Sequence, residues 1–148
     1  MTARQAAQCG RCRETIVAYA TEGPQATASP DVARILRPII GHLDQEVFVA
    51  VLLDVKTRVL RIVEISRGSL SASLVHPREV FKAAVRDAAH AVILAHNHPS
   101  GDPAPSPEDA ALTTRLIAAG DVLGIRVLDH VVIGMHDHYS FADSGRLR

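Results

Sequence analysis

The distribution of apolar and polar residues first predicts a β-hairpin in the middle of the chain. A nearly continuous apolar run over Val47–Leu53 is followed by partial alternation of apolar and polar residues over Val59–Ile65. The polar segment Asp54–Arg58 separates the two runs. Two extended segments joined by a short polar connection are typical of antiparallel strands.

After this hairpin, the pattern changes to helical periodicity. Pro77–Ala89 places its apolar residues on one side of a helix, and the short apolar run Ala91–Ala95 predicts a buried central strand. A further helix is expected after Ser106, which is a good N-cap residue followed by proline at the first helical position. This helix should end near Gly120–Gly124.

The remaining segments complete an α/β domain with a mixed sheet. Asp31–Ile40 predicts a short helix that ends or bends at Gly41. Arg126–Ile133 predicts another strand, and His138–Phe141 is expected to pair with it across a turn. Alternating strands and helices of this kind favour the α/β fold class.

The first thirty residues differ from the rest and predict an N-terminal arm or linker, followed by one domain over residues 31–148. The arm contains a possible short helix near Glu14–Ala20 and then many turn-forming and small residues. It also contains Cys9 and Cys12 in a CxxC arrangement. We expect a free, reduced pair, the alternative being a half-site for metal that a second copy of the chain completes.

Composition adds limits on the class of protein. The 148 residues are 47% hydrophobic and 22% charged, which is ordinary for a globular domain with a sizeable core. Sixteen basic residues balance sixteen acidic ones, which counts against general binding of nucleic acid. We find no signal-peptide pattern and no apolar run long enough for a membrane span, so a cytoplasmic location without membrane contact is expected.

The residues that carry chemistry lie where the central strand ends and the next helix begins. His96 and His98 are separated by one residue, so both side chains should point to the same side. A loop rich in proline and glycine then leads to Asp109 in the first helical turn. Two imidazoles and one carboxylate suit zinc and leave the fourth tetrahedral position open, as a catalytic site requires. The sequence therefore predicts one Zn²⁺ per chain that activates water for hydrolysis.

Such a site also needs a general base, which the residues alone do not identify. Glu46, Glu64 and Glu79 all precede the histidines and are candidates. Asn97 alternates away from the two histidines and is expected to order the following loop. His130 lies on a predicted strand and is expected to be a core histidine, or one that supports the site without binding the metal.

The longer string around this site resembles a known family. HNHPSGDPAPSPED contains His-x-His-Pro, then Ser106 eight residues after His98 and Asp109 three residues later. This arrangement resembles the JAMM/MPN+ metalloprotease signature. With LVHPREVF before it and LDHVVIG after it, the segment resembles the RadC branch of that superfamily. The resemblance implies a cytidine-deaminase-like fold, in which helices flank a curved mixed sheet.

The same resemblance implies a role for each residue of the motif. The zinc ligands of the family correspond to His96, His98 and Asp109, and its general base corresponds to Glu46 before the first core strand. Its serine, which steadies the oxyanion of the tetrahedral intermediate, corresponds to Ser106. The parent chemistry that this implies is hydrolysis of a peptide or isopeptide bond in a protein or peptide substrate.

Three other functions are weighed against this metallopeptidase. A metal-dependent nuclease with a role in DNA repair is the second enzyme class, but the balanced charge counts against it. The resemblance also implies an N-terminal helix-hairpin-helix segment, for which this chain is expected to be too short. A noncatalytic interaction module of the MPN type would bind no zinc. A nucleobase deaminase is rejected, because His98 stands where its glutamate is needed and the one CxxC lies upstream of the histidines.

Overall fold

The structure is a computed structural model and describes residues 3–4, 15–19, 21–68 and 75–147. Cys9 and Cys12 lie outside the described residues. The elements in chain order are β1 (Ala3–Arg4), β2 (Thr15–Tyr19), α1 (Ser29–Ile40), β3 (Val47–Leu53), β4 (Val59–Arg67), α2 (Pro77–Arg86), β5 (Ala91–Asn97), α3 (Pro107–Leu123), β6 (Arg126–Ile133) and β7 (His138–Ser140).

The strands form one mixed sheet, which confirms the α/β class. Their order across the sheet is β1-β2-β4-β3-β5-β6-β7. The neighbours β5 and β6 run parallel and are joined through α3, whereas the other neighbouring pairs are antiparallel. A parallel pair needs a crossover connection, and α3 supplies it.

Both faces of the sheet are covered by helices, which explains why β3 is apolar along its whole length. Alternate residues of a strand point to opposite faces. One set packs with residues of α2 and α3, and it consists of Phe48, Ala50 and Leu52. The other set packs with residues of α1, and it consists of Val47, Val49, Val51 and Leu53. All seven residues of β3 are buried as a result.

Several strand predictions are confirmed, and β5 is longer than predicted. The bounds of β3 and β6 agree with the sequence pattern. The β5 strand extends beyond Ala95 to Asn97, so His96 belongs to the strand itself. Pairing of Phe48 with His96 across β3 and β5 explains this extension.

The predicted short helix near Glu14–Ala20 is wrong, because residues 15–19 form strand β2. This segment pairs with β4, where Thr15 lies opposite Val63 and Ala18 opposite Arg61. The Arg61 guanidinium also donates a hydrogen bond to the Thr15 hydroxyl over 2.7 Å. Tertiary pairing therefore overrides the weak local helical signal. The division of the chain at residue 30 stays a prediction.

Helix α2 ends three residues earlier than predicted. Ala88 has a positive φ of 53°, which an L-residue in a continuing helix does not adopt. The Ala88 N–H donates to the Val85 carbonyl, and the Ala89 N–H donates to the Ala84 carbonyl. This pattern closes the helix as a Schellman motif.

Among the described helices, none combines the length and the apolar character that crossing a bilayer requires.

Candidate metal centre

The predicted metal ligands converge where β5 ends and α3 begins. His96 lies on the same face of β5 as Val92 and Leu94, which pack against the α2 and α3 side of the sheet. The His96 side chain is fully buried, whereas His98, just beyond the strand, is half-buried. The two imidazole centroids are 4.8 Å apart, so the i, i+2 spacing places both rings on one side as expected.

The first turn of α3 presents Asp109 through a capping box. The Ser106 hydroxyl oxygen accepts a hydrogen bond from the Asp109 N–H over 3.1 Å. In return, Asp109 Oδ2 accepts a hydrogen bond from the Ser106 N–H over 2.8 Å. The two bonds satisfy N–H groups that a helix start otherwise leaves unpaired. They also hold the Asp109 carboxylate against the helix start and toward the histidines.

The three ligand atoms lie close enough to hold one metal ion. His96 Nε2 and His98 Nε2 are 3.0 Å apart, and each lies 3.4 Å from Asp109 Oδ2. Among the described residues, these three form the group of histidine and acidic side chains whose ligand atoms all lie within 4.8 Å of one another. The group could therefore bind a metal ion.

The chemistry of these atoms fits a cation. His98 Nδ1 donates to the Asp102 carbonyl oxygen over 2.8 Å, so a neutral His98 ring leaves the lone pair of Nε2 facing the site. Lone pairs and a carboxylate this close repel one another unless positive charge lies between them. Hydrogen bonding to Asp109 raises the pKa of His98, against the opposing effect of burial.

The pKa of the Asp109 carboxyl is shifted in the direction opposite to that of His98. Burial favours the protonated form of Asp109, but its interactions with His96 and His98 and the hydrogen bond from the Ser106 N–H outweigh it and hold the pKa of Asp109 well below its usual range. Asp109 therefore stays ionised and available as a ligand. The loop residue Asp102 contributes its backbone carbonyl to His98, while its side chain accepts from the Ala104 N–H over 3.0 Å.

A cavity of about 320 Å³ opens onto this group and brings further predicted residues to it. Its lining consists of Glu46, His98, Ser100, Ser106, Glu108 and Asp109. Glu46 immediately precedes β3, and the pairing of β3 with β5 reaches Phe48 and His96, so Glu46 lies near the end of β5 that His98 follows. The negative charge of Glu46 is one of the influences that raise the pKa of His98.

Asn97 has a different role from the one expected, because it holds the segment that carries Glu46. Its side-chain oxygen accepts from the Val47 N–H over 2.7 Å, and its side-chain nitrogen donates to the Gln45 carbonyl over 2.9 Å. The Gly68 N–H donates to the carbonyl of Glu46 over 2.8 Å. The backbone is thus bonded on both sides of Glu46 and at Glu46 itself.

The other two candidate bases make ion pairs away from this cavity. Glu64 lies on β4 and pairs with Arg67 over 2.6 Å. Glu79 lies on α2 and pairs with Lys82 over 3.2 Å. Neither residue lines the cavity around His98 and Asp109.

Two buried residues lie behind the histidines. The sequence predicted that His130 is a core histidine or supports the site without binding the metal, and it gave no role to Thr113. His130 is fully buried on β6, and its Nε2 lies 2.8 Å from His96 Nδ1. Thr113 lies on α3, where its hydroxyl contacts His130 Nδ1 and the carbonyl of Asp109. The sequence signal for Thr113 is its position four residues after Asp109, on the same face of the helix.

Comparison with known proteins finds a matching protein family. A family model described as a RadC-like JAB domain matches residues 26–146, which is most of the chain. The matched region contains the cavity residues and both buried partners behind the histidines.

Curated relatives carry names that state no activity. A UPF0758 protein of Symbiobacterium thermophilum is 50% identical, over 90% of this chain and 61% of the relative. UPF0758 proteins of Geobacter sulfurreducens and Trichlorobacter lovleyi are each 58% identical, over 70% of this chain and 45% of the relative. The chain thus spans about half the length of the curated relatives that it matches.

Proposed function

Because this chain belongs to the RadC-like JAB domain family, we propose that it is a zinc-dependent hydrolase that cleaves an amide bond in a peptide or protein substrate. One observation carries the proposal: Glu46 and Ser106 line the same cavity as His98 and Asp109. A candidate base, a candidate oxyanion donor and candidate metal ligands therefore meet at one place that a substrate can reach.

The ligand set favours zinc over other metals. Two imidazole nitrogens and one carboxylate oxygen, with room for a further ligand, are typical of catalytic zinc. His96, His98 and Asp109 would hold the ion. Zinc bound there would lower the pKa of a water molecule and polarise a substrate carbonyl.

Glu46 is the proposed general base. Its half-buried side chain lines the cavity, and its backbone is held by Asn97 and Gly68. From this position, the carboxylate would accept a proton from the attacking water and deliver it to the leaving amine. The need for such a proton carrier is greatest at an amide bond, since an amine leaves poorly without a proton.

Ser106 is the proposed donor to the oxyanion. A hydroxyl has one proton and two lone pairs, and one lone pair of Ser106 already accepts from the Asp109 N–H. The proton can therefore be directed into the cavity. Donors of this kind act most strongly where negative charge develops on the carbonyl oxygen.

The charge of the cavity supports an amide over a phosphodiester. Besides the ligand Asp109, the lining carries the carboxylates Glu46 and Glu108, and none of the described lining residues is Lys or Arg. A phosphodiester backbone would be repelled by these carboxylates and would lack cations to neutralise it. An uncharged amide carries no such cost.

Substitution of Glu46 tests the proposal, with Glu64 as the matched control. Glu46→Gln should lower turnover of a cleaved peptide at least 100-fold while zinc content, measured by elemental analysis, stays near one per chain. Glu64→Gln makes the same chemical change outside the cavity and should retain activity. His98→Ala should lose both zinc and activity.

The substrate panel must separate the enzyme classes. Short peptides, an isopeptide-linked peptide pair, and single- and double-stranded DNA are incubated with the zinc-loaded wild type. Amide cleavage that Glu46→Gln abolishes supports the proposal. Zinc-dependent cleavage of DNA alone overturns it in favour of a nuclease, and full activity of Glu46→Gln shows that the base assignment is wrong.

A further inference from the structure

We propose that His130 and Thr113 are positioning residues that hold His96 in the one tautomer able to bind a metal through Nε2. The inference rests on the metal site of the proposed function. It assigns to these two buried side chains a role in metal affinity, although neither contacts the cavity.

Hydrogen bonds connect the side chains of His96, His130 and Thr113 in series inside the protein. His96 and His130 are fully buried, and Thr113 is 1% exposed. His96 Nδ1 and His130 Nε2 are 2.8 Å apart, and His130 Nδ1 lies within a short hydrogen bond of Thr113 Oγ1. Thr113 Oγ1 lies 2.7 Å from the carbonyl oxygen of Asp109.

The direction of every bond follows from the last acceptor. A carbonyl oxygen can only accept, so the single hydroxyl proton of Thr113 is donated to Asp109. The Thr113 oxygen must then accept its bond from His130, which places the His130 proton on Nδ1. A neutral His130 has a lone pair at Nε2, and that lone pair accepts a proton from His96 Nδ1.

This arrangement leaves the lone pair of His96 on Nε2, the atom that faces His98 and Asp109. The opposite tautomer would place a proton where the metal must bind. Both nitrogens of His130 contact uncharged groups when His96 is neutral, and the ring lies between Phe48 and Phe141. A buried charge on His130 would therefore be costly, which favours the neutral ring that the chain of bonds requires.

The chain of bonds also connects two metal ligands from different elements. It runs from His96 on β5 through His130 on β6 and returns along α3 to the backbone of Asp109. His98 needs no such support from the core, because the Asp102 carbonyl fixes its tautomer locally. The tautomer of the buried His96 thus depends on residues of β6 and α3, whereas the tautomer of the half-buried His98 is fixed within its own loop.

Substitution of Thr113 tests the role, with the next residue as a matched control. Thr113→Val removes the hydroxyl and leaves His130 Nδ1 without its acceptor, so His130 can reverse its tautomer and impose the wrong one on His96. Loss of such a partner behind a metal-bound histidine typically weakens metal affinity about 10- to 100-fold. Affinity for zinc alone is measured by competition with a chelator.

The control and the rescue variant separate positioning from helix stability. Thr114 Oγ1 donates to the Ala110 carbonyl over 3.1 Å, so Thr114→Val removes the same kind of bond one residue away on the exposed face. Thr114→Val and Thr113→Ser should both bind zinc as the wild type does. If Thr113→Val also retains wild-type affinity, the positioning role is wrong.

A spectrum of the wild type makes the test independent of any variant. Two-dimensional ¹H–¹⁵N correlation spectra of the imidazole rings, recorded on metal-free protein at alkaline pH, distinguish protonated from unprotonated ring nitrogens. The protons of His96 and His130 should both reside on Nδ1. A His96 protonated on Nε2 overturns the inference. If the wild type binds no zinc, the proposed function fails, while the spectrum still decides the direction of the hydrogen bonds.

Discussion

The side-chain amide of Asn97 connects the strand that carries His96 to the segment that carries Glu46. Asn97 lies between the two histidines in the chain, but its side chain bonds to the backbone on both sides of Glu46. The two bonds are 2.7 and 2.9 Å long, and Asn97 is 1% exposed. A residue that alternates away from the metal can therefore set the distance between the proposed base and the metal ligands.

Replacement of Asn97 should impair the base while sparing the metal. Asn97→Ala leaves a buried N–H of Val47 and a carbonyl of Gln45 without their partners, at a cost of roughly 2 kcal/mol in the free energy of unfolding. We expect lower turnover at near-normal zinc affinity, measured by peptide hydrolysis and chelator competition. Gln45→Ala keeps the backbone carbonyl and should leave both unchanged. Loss of zinc equal to the loss of turnover would contradict this role.

Protonation of His98 should control metal binding in mildly acidic solution. Its pKa is raised above the ordinary value of 6.5, mainly by the hydrogen bond with Asp109. The added proton occupies Nε2 and competes with the metal, so zinc affinity should fall as pH falls through this raised pKa. Chelator competition at a series of pH values should give a midpoint above 6.5.

The matched variant for this pH dependence is Glu46→Gln. The charge of Glu46 contributes to the raised pKa of His98, so its removal should move the midpoint toward lower pH. A midpoint below the ordinary histidine value in the wild type would show that the proton binds less strongly than the hydrogen bonds indicate.

At the scale of elements, two helices end in the same backbone conformation with different residues. Helix α2 is closed by Ala88 with a φ of 53°, and helix α3 by Gly124 with a φ of 72°. The left-handed region costs an L-residue about 1–2 kcal/mol, whereas glycine adopts it freely. The end of α2 is therefore strained and that of α3 is not.

Reciprocal substitutions should change stability in opposite directions. Ala88→Gly relieves the strain but increases the entropy of the unfolded chain by about 0.4–1 kcal/mol, for a net gain of roughly 0.5 kcal/mol. Gly124→Ala combines the same two effects with opposite signs and should lose roughly 0.5 kcal/mol through the backbone alone, since an added Cβ there has no atom within 4 Å. Urea unfolding measures both. Changes of the same sign would show that packing, not φ, dominates.

At the scale of the whole molecule, the core consists of two apolar clusters that do not include the predicted metal ligands. One apolar cluster joins the sheet to α2 and α3, and another joins it to α1. The residues that would hold zinc belong to neither cluster and lie where β5 ends and α3 begins. A catalytic ion placed in this way should add stability to a fold that already exists.

Removal of zinc should lower the melting temperature without unfolding the protein. Zinc at about 100 times its dissociation constant stabilises the folded state by about 2.7 kcal/mol, or roughly 5–10 °C for a chain of this size. Calorimetry with and without chelator measures the shift, and His98→Ala should show none. A chelated protein without a cooperative transition would indicate a structural ion instead.

Much of the fold could be predicted because its signals are local. The apolar runs of β3 and β6 and the capping residues of α3 each lie within a few consecutive residues. The strand at residues 15–19 could not be predicted in this way. Its short segment is stabilised by pairing with β4, more than forty positions away, and such contacts leave no local pattern.

The sequence by itself determined the strand–loop–helix unit that carries His96, His98 and Asp109, because alternation along a strand and capping of a helix are properties of neighbouring residues. The residues alone left three glutamates open as bases, and the family resemblance favoured Glu46. The tertiary structure decided which glutamate shares the cavity of the metal ligands and which buried residues contact His96. These relations join β3, β5, β6 and α3 across long stretches of chain, and only the packing of the sheet against its helices brings them within hydrogen-bonding distance.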